Sequence, residues 1–343
     1  MRSLTHPDLA PLSIGCAILG SGGGGDPAYS IAMAKYQLQQ HGPVQVISVD
    51  ELKEDDFIMP IAFMGAPLVG MEKLPSGREF NVLMDLIEKS VGRRPTVLMA
   101  VEIGGSNGFA PFLVAHSLGL PVLDGDLMGR AFPQLQMTAC SVVGIPVSPA
   151  FLADSLGNTV MIESESVETL EAIGRHVSVS MGSSCAIAFA LMNRQQAQQA
   201  VIPNTLKRAI EIGRAVLDAK ENPIEALLKF AGGKFLGEGT ILSVDQSIKN
   251  GFLEGSVTLS GGFEVLYQNE YLLAKKEGRP IAYTPDILML LEKESATPIP
   301  TESLRYGLKV ALIALPAPAI WKTDKGLSLV APACFGYTLE ETS

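Results

Sequence analysis

The sequence predicts an α/β protein in two parts: an N-terminal three-layer α/β domain with a largely parallel sheet, and a C-terminal β-rich, barrel-like domain. Three observations predict it. Up to about residue 165, short apolar runs alternate with helical segments, the rhythm of a parallel sheet buried on both faces. From Gly237 onward, short strands follow one another between glycine turns, at a spacing of roughly 8–12 residues that suits a small barrel or sandwich. The 343 residues also exceed what one hydrophobic core usually carries, so two domains, 1–165 and 166–343, are expected.

Taken in order, residues 12–19 form an apolar helix or strand that runs into Gly20-Ser21-Gly22-Gly23-Gly24-Gly25-Asp26-Pro27. A helix follows, with Asp26 as its N-cap, Pro27 at the first helical position, and Ile31, Ala34 and Leu38 at helical spacing. Strands are expected at 44–49, 58–64, 96–101 and 120–123, and helices at 80–89, 110–118 and 131–139. A strand at 159–162 and a helix at 166–175 close the first domain. An apolar stretch at 185–192 and an amphipathic helix at 205–220 lead into the second. Its strands are expected at 239–244, 252–259, 263–267, 270–274, 287–292, 308–315 and 320–323.

Composition narrows the function. Hydrophobic residues make up 47% and charged residues 18%, a well-buried globular balance that excludes disorder. The net charge of −10 and the absence of a long Lys/Arg run argue against nucleic acid as a partner. No stretch of 18 apolar residues argues for a membrane span, and residues 1–12 carry His6, Pro7 and Asp8 in place of an apolar leader, so a cytoplasmic protein is expected. Cys16, Cys140, Cys185 and Cys334 lack metal-ligand spacing; small buried hydrophobes are the expectation, with a zinc set or a nucleophile as alternatives. His6, His41, His116 and His176 are isolated, and no nucleophile elbow is present.

The chemistry concentrates in PVLDGDLMGRAFPQLQ, residues 121–136. An apolar strand empties into Asp124-Gly125-Asp126, then Gly129-Arg130 and Phe132-Pro133-Gln134. Burying such charges unpaired costs several kcal/mol each, so they are solvated, paired, or facing a site. Glu102 and Asn107, in VEIGGSNG, follow the preceding strand, and in a parallel sheet the carboxyl ends of strands line the ligand crevice. Asp124, Asp126 and Glu102 are therefore candidate catalytic groups. They could share a proton, or hold a divalent metal through oxygen; helix capping and turn chemistry are the plainer explanation. The backbone of Gly22, Gly23, Gly24 and Gly25, with Asp26, Asn107, Arg130 and Gln134, is expected to bind substrate. Arg130 could equally pair with Asp126. The glycine run fits neither GxGxxG nor a phosphate loop, since it lacks the lysine. In the second domain, Asp286 is the outside candidate for reaching the crevice.

GSGGGGDP at 20–27, VEIGGSN at 101–107, LPVLDGDLMGRAFPQLQM at 120–137, TPDIL at 284–288 and APACFGY at 331–337 together resemble the S-methyl thiohydantoin desulfurase family, long known as a domain of unknown function. The resemblance spans nearly the whole chain. It implies an α/β domain followed by a barrel-like domain, an association with hydantoinase- and oxoprolinase-like proteins, and hydrolysis of a cyclic S-methyl thiohydantoin to a hydantoin and a thiol. It assigns no catalytic residues. The expectation is thus a hydrolase acting on a small five-membered N-heterocycle, through carboxylate- or metal-assisted addition of water. The alternatives are a non-catalytic hydantoin-binding subunit, alone, as a homo-oligomer or with a hydantoinase-like partner, and a nucleotide-binding protein.

Overall fold

The nine residues Phe57–Gly65, FIMPIAFMG, are apolar on both sides of the strand they form, and the fold of the first domain follows from that. A strand without a polar face needs an apolar layer against each of its surfaces. In the computed structural model, which describes residues 3–65, 75–249 and 251–339, it receives them. The first elements are β1 (Ser3–Leu4), α1 (Leu9–Leu19), α2 (Ala28–His41), β2 (Val44–Ile47), β3 (Phe57–Gly65), α3 (Glu79–Val91), β4 (Val97–Ala100), α4 (Ala110–Leu118) and β5 (Val122–Leu123). Met59 and Ile61 of β3 pack with Leu83, Ile87 and Val114 of the helices on one face. Ile58 and Met64 pack on the other, with Leu127, Leu152 and Leu170.

The chain continues through β6 (Gly125–Asp126), α5 (Ala139–Val143), β7 (Ala150–Ala153), β8 (Thr159–Ile162), α6 (Val167–Ser180) and β9 (Ser184–Ala188). Strand order in this sheet is β1-β2-β5-β4-β3-β9-β7-β8. The strands β2, β5, β4 and β3 run parallel. Strands β9, β7 and β8 add on antiparallel. Because β9 lies beyond residue 165, the chain re-enters the first sheet after the point at which the sequence suggests that the domain closes.

After β10 (Met192–Asn193), α7 (Arg194–Ala200), β11 (Ile202–Pro203), α8 (Thr205–Leu217) and α9 (Pro223–Ala231) comes an antiparallel sheet of seven strands. These are β12 (Lys234–Lys249), β13 (Phe252–Leu259), β14 (Phe263–Gln268), β15 (Glu270–Lys276), β16 (Arg279–Tyr283), β17 (Ile287–Glu292) and β18 (Lys309–Leu315). The long β12 pairs with β18 through its first half and with β13 through its second. Bulges in both ladders bend it, and the sheet curls into a half-barrel. The Ser21 hydroxyl, from the glycine loop, bonds to the carbonyls of Tyr271 on β15 and Leu288 on β17, tying two strands that are not sheet neighbours.

Helices α1 and α8 cross at two glycines. A Cβ on Gly15 would collide with the Ala209 carbonyl, and one on Gly213 with that of Pro11. Two expected elements differ. Residues 131–138 are irregular, and the helix there is only α5. Pro133 disfavours helical geometry at Phe132 and removes a donor. The free backbone groups bond outward instead: Ala131 N to Leu19 O, and Leu135 N to Glu171 Oε2. Residues 319–322 form a 3-10 turn leading to α10 (Asp324–Val330), not a strand. Among the described residues, no helix is long and apolar enough to cross a membrane.

Candidate functional site

Strand β4 ends at Ala100 beside Ile61, β3 runs on to Gly65, and a cavity of about 320 Å³ is lined by the end of β3 and the residues after β4. Its wall includes Glu102, Asn107, Gln134 and Asp26 from the first domain and Glu270 from β15 of the half-barrel. The site therefore lies between the two sheets.

Glu102 is 7% exposed and lies two residues past the end of β4. The Asn107 side-chain amide donates to Glu102 Oε1 at 2.6 Å. Its other end is fixed, because Asn107 Oδ1 accepts the Phe63 backbone N–H of β3 at 2.8 Å. An N–H can only meet the oxygen, so the NH₂ must face the carboxylate. Glu102 Oε2 is buried with no hydrogen-bond partner.

The glycine run packs more than it binds. Gly22, Gly24 and Gly25 have positive φ of 88°, 76° and 79°, which side chains disfavour. Gly24 interleaves with Gly104 and Gly105, and its carbonyl accepts from the Ser106 backbone and hydroxyl. Gly22 lies against the Tyr271 ring and Gly23 against the Glu270 carboxylate. Gly24 and Gly25 reach the cavity wall, whereas Gly22 and Gly23 lie beneath Tyr271 and Glu270. Helix α2 begins at Ala28, whose N–H bonds to Asp26 Oδ1 at 2.8 Å. The N-cap is Pro27, one residue later than the sequence suggests, and Asp26 accepts the first helical N–H from the position before it.

Asp124 turns away from the cavity. Its Oδ1 accepts the N–H groups of Leu206 and Lys207 at 3.0 and 3.2 Å, at the start of α8. Burial raises its pKa against those two bonds. Asp126 is fully buried and accepts from Ile103 N at 2.6 Å and from Gly129 N at 2.8 and 2.9 Å. Burial pushes it up to about 8, against amide donors that favour the anion. Both aspartates are taken up in shaping the chain. The Asp126 carboxylate fixes the 126–129 turn and ties it to the residue after Glu102.

Arg130 bonds to carbonyls rather than to Asp126. Its Nε donates to Ala131 O at 2.9 Å, and Nη1 donates to Pro285 O and Asp286 O at 2.8 and 2.9 Å. The Phe132 ring lies 4.4 Å away. The backbone of Asp286 meets Arg130, while its carboxylate pairs with Lys322 at 3.2 Å and does not reach the cavity. Arg130 is fully buried, and Nη2 has no partner. Burial lowers its pKa to about 10, partly offset by Glu270, Asp286 and Glu102, so it remains a cation at neutral pH.

Glu270 is the residue that sequence reasoning missed. It is 2% exposed, and its Oε2 is also buried without a partner. Burial and the neighbouring Glu102 push its pKa well above the ordinary carboxylate range, with Arg130 partly offsetting them. For Glu102, burial pushes the pKa up to about 7, against the Asn107 bond, the Phe132 amide and Arg130. The legible signal of Glu270 was an acid at the head of the apolar strand Tyr271-Leu272-Leu273-Ala274, all of it buried. Arg175, also on the wall, is spent: it pairs with Glu171 at 2.6 Å, bonds to Pro133 O at 3.0 Å and stacks on Phe252.

Among the described residues, no three His, Cys, Asp or Glu side chains are grouped to hold a metal ion, and Glu102, Asp124 and Asp126 do not converge as such a set. Cys16, Cys140 and Cys185 are buried; Cys334 is exposed. Burial pushes the Cys16 thiol far up, with Asp126 adding to it, and Cys140 up to about 12, so neither is a thiolate at neutral pH. His116 meets the Gly42 carbonyl at 3.0 Å, a satisfied edge residue.

Comparison with known proteins covers the whole chain. A family model described as "S-Me-THD-like, N-terminal domain" matches residues 7–164, and one described as "S-Me-THD-like, C-terminal domain" matches 165–343. A crystal structure of a protein from Chromobacterium violaceum is similar at a TM-score of 0.82 and 28% identity, over 98% of each chain. No curated protein matches.

Proposed function

The chain belongs to the S-Me-THD-like family over both of its domains, and from that premise we propose that the cavity between the sheets hydrolyses an S-methyl thiohydantoin-type heterocycle. One observation carries the reading. Two buried carboxylate oxygens without partners, Glu102 Oε2 and Glu270 Oε2, belong to glutamates that line one cavity, and the Arg130 guanidinium behind its wall feels the charge of both. Such orphans are costly, and a polar ligand in the cavity is what would satisfy them.

Burial raises both glutamates, and the two can divide the roles that catalysis needs. Glu102, pushed up to about 7, is assigned as the base; Glu270, raised well above the ordinary carboxylate range by burial and by Glu102, is assigned as the proton donor. Water attacks the ring carbon that carries the S-methyl group, forming a C–O bond, while Glu102 takes the water proton. Glu270 gives its proton to the adjacent ring nitrogen. The new hydroxyl returns a proton to Glu270 as the carbonyl forms. The C–S bond breaks, and the methanethiolate leaves with the proton held by Glu102. Both glutamates are restored, and the products are the hydantoin and methanethiol. Asn107 holds Glu102 in its orientation, and Arg130 supplies a fixed positive field.

The test is methanethiol release from S-methyl thiohydantoin by the purified chain. Release by the wild type, cut by about two to four orders of magnitude in Glu102→Gln and Glu270→Gln with the fold retained, supports the reading. No release by the wild type across a thiohydantoin panel overturns it.

A further inference from the structure

Part of the cavity lining is an apolar sheet face. Strands β3 and β9 are paired with Ala62 opposite Ile187. Side chains two apart share a face of a sheet, so Ala62 and Met64 stand on the same face as Ile187 and, just past the strand end, Phe189. With Val101 and Met128 they form a buried apolar wall. The polar groups Glu102, Asn107 and Glu270 come from other segments, the turn after β4 and the start of β15.

The cavity is also larger than the ring. S-methyl thiohydantoin has eight heavy atoms. Even at about 30 Å³ each, the share of a water molecule in the liquid, they fill about three quarters of 320 Å³. Bonded atoms overlap, so this overstates the filling. Much of the lining is apolar, and among the described residues no cation on the lining is free to meet an acidic group. The Arg175 guanidinium is committed to Glu171 and Pro133, and Arg130 lies behind the cavity wall. Asp26, and Glu102 when ionised, would repel an anion.

Resting on the reaction proposed above, we infer that the substrate is a thiohydantoin carrying an uncharged apolar substituent on its tetrahedral ring carbon, branched-aliphatic or aromatic in size, and that Ala62, Met64, Ile187 and Phe189 select it.

Two measurements on the full chain separate this inference from the reaction. The first is calorimetric binding of hydantoin and its 5-methyl, 5-isobutyl, 5-benzyl and 5-carboxymethyl derivatives. The isobutyl or benzyl compound should bind at least tenfold more tightly than hydantoin, and the carboxymethyl compound more weakly than the isobutyl. A flat series, or the acid binding best, overturns the inference. The second is thiol release from the matching S-methyl thiohydantoins by wild type and Ala62→Leu. Narrowing the lobe should lower the ratio of kcat/KM for the isobutyl over the unsubstituted substrate at least tenfold. An unchanged ratio overturns the inference, while turnover without size preference leaves the reaction standing. Apolar preference in binding with no thiol released sinks the reaction and leaves the lobe.

Discussion

A Cβ on Gly23 would overlap the Glu270 carboxylate and stand 2.6 Å from its Cδ and 2.9 Å from its Cγ. The glycine loop of one domain is thus the seat of an acid from the other. Unlike Gly22, Gly24 and Gly25, Gly23 does not have a positive φ, so an alanine there meets only the collision. Gly23→Ala should displace Glu270 and lower kcat for thiol release at least tenfold, with a circular-dichroism spectrum like that of the wild type. Wild-type turnover in Gly23→Ala would mean that the position of Glu270 is irrelevant to rate.

The raised pKa of Glu102 makes stability depend on pH. The folded state holds this proton up to about pH 7, whereas the unfolded chain releases it near 4.5. Folding is therefore favoured below 4.5, and that contribution is lost as pH rises through 7, by up to about 3 kcal/mol. Denaturant titrations at pH 4.5 and 8 should show wild type losing more stability than Glu102→Gln as pH rises. Equal losses would place Glu102 in a more polar setting than the cavity provides.

Asp124 and Asp126 should respond as structural groups. Asp124→Ala removes the acceptor of two N–H groups opening α8, so it should cost about 1–2 kcal/mol and change kcat/KM little. Asp126→Asn places an NH₂ against amide donors from Ile103 and Gly129. It should destabilise by about 1–3 kcal/mol, and any loss of activity should track the loss of fold. Melting curves beside initial rates check both. A fully folded Asp126→Asn that turns nothing over would return Asp126 to the chemistry.

Much of this was legible in the chain. The apolar runs of β3, β4 and β5 and the capped helix after Pro27 follow from local pattern, and Glu102 with Asn107 follows from its place after a strand. The DGD segment was legible as a cost but not as a destination. Burying Asp124 and Asp126 is resolved by backbone amides of residues 103, 129, 206 and 207, and no local pattern shows which distant amide will arrive. Glu270 was hidden for a similar reason. It meets Gly23 only because the half-barrel docks on the glycine loop through Ser21, Thr301 and Tyr271. The helix expected at 131–139 failed where Pro133 and cross-chain hydrogen bonds outweighed periodicity.

The central claim is that Glu102 acts as the base, and its most direct test is the pH dependence of kcat/KM for methanethiol release. The wild type should show a limb rising with pH and centred near 7, the value to which burial pushes Glu102. Glu102→Gln should lose at least about a hundredfold in rate, and the limb with it. A Glu102→Gln enzyme that keeps the wild-type rate and the same limb would contradict the account.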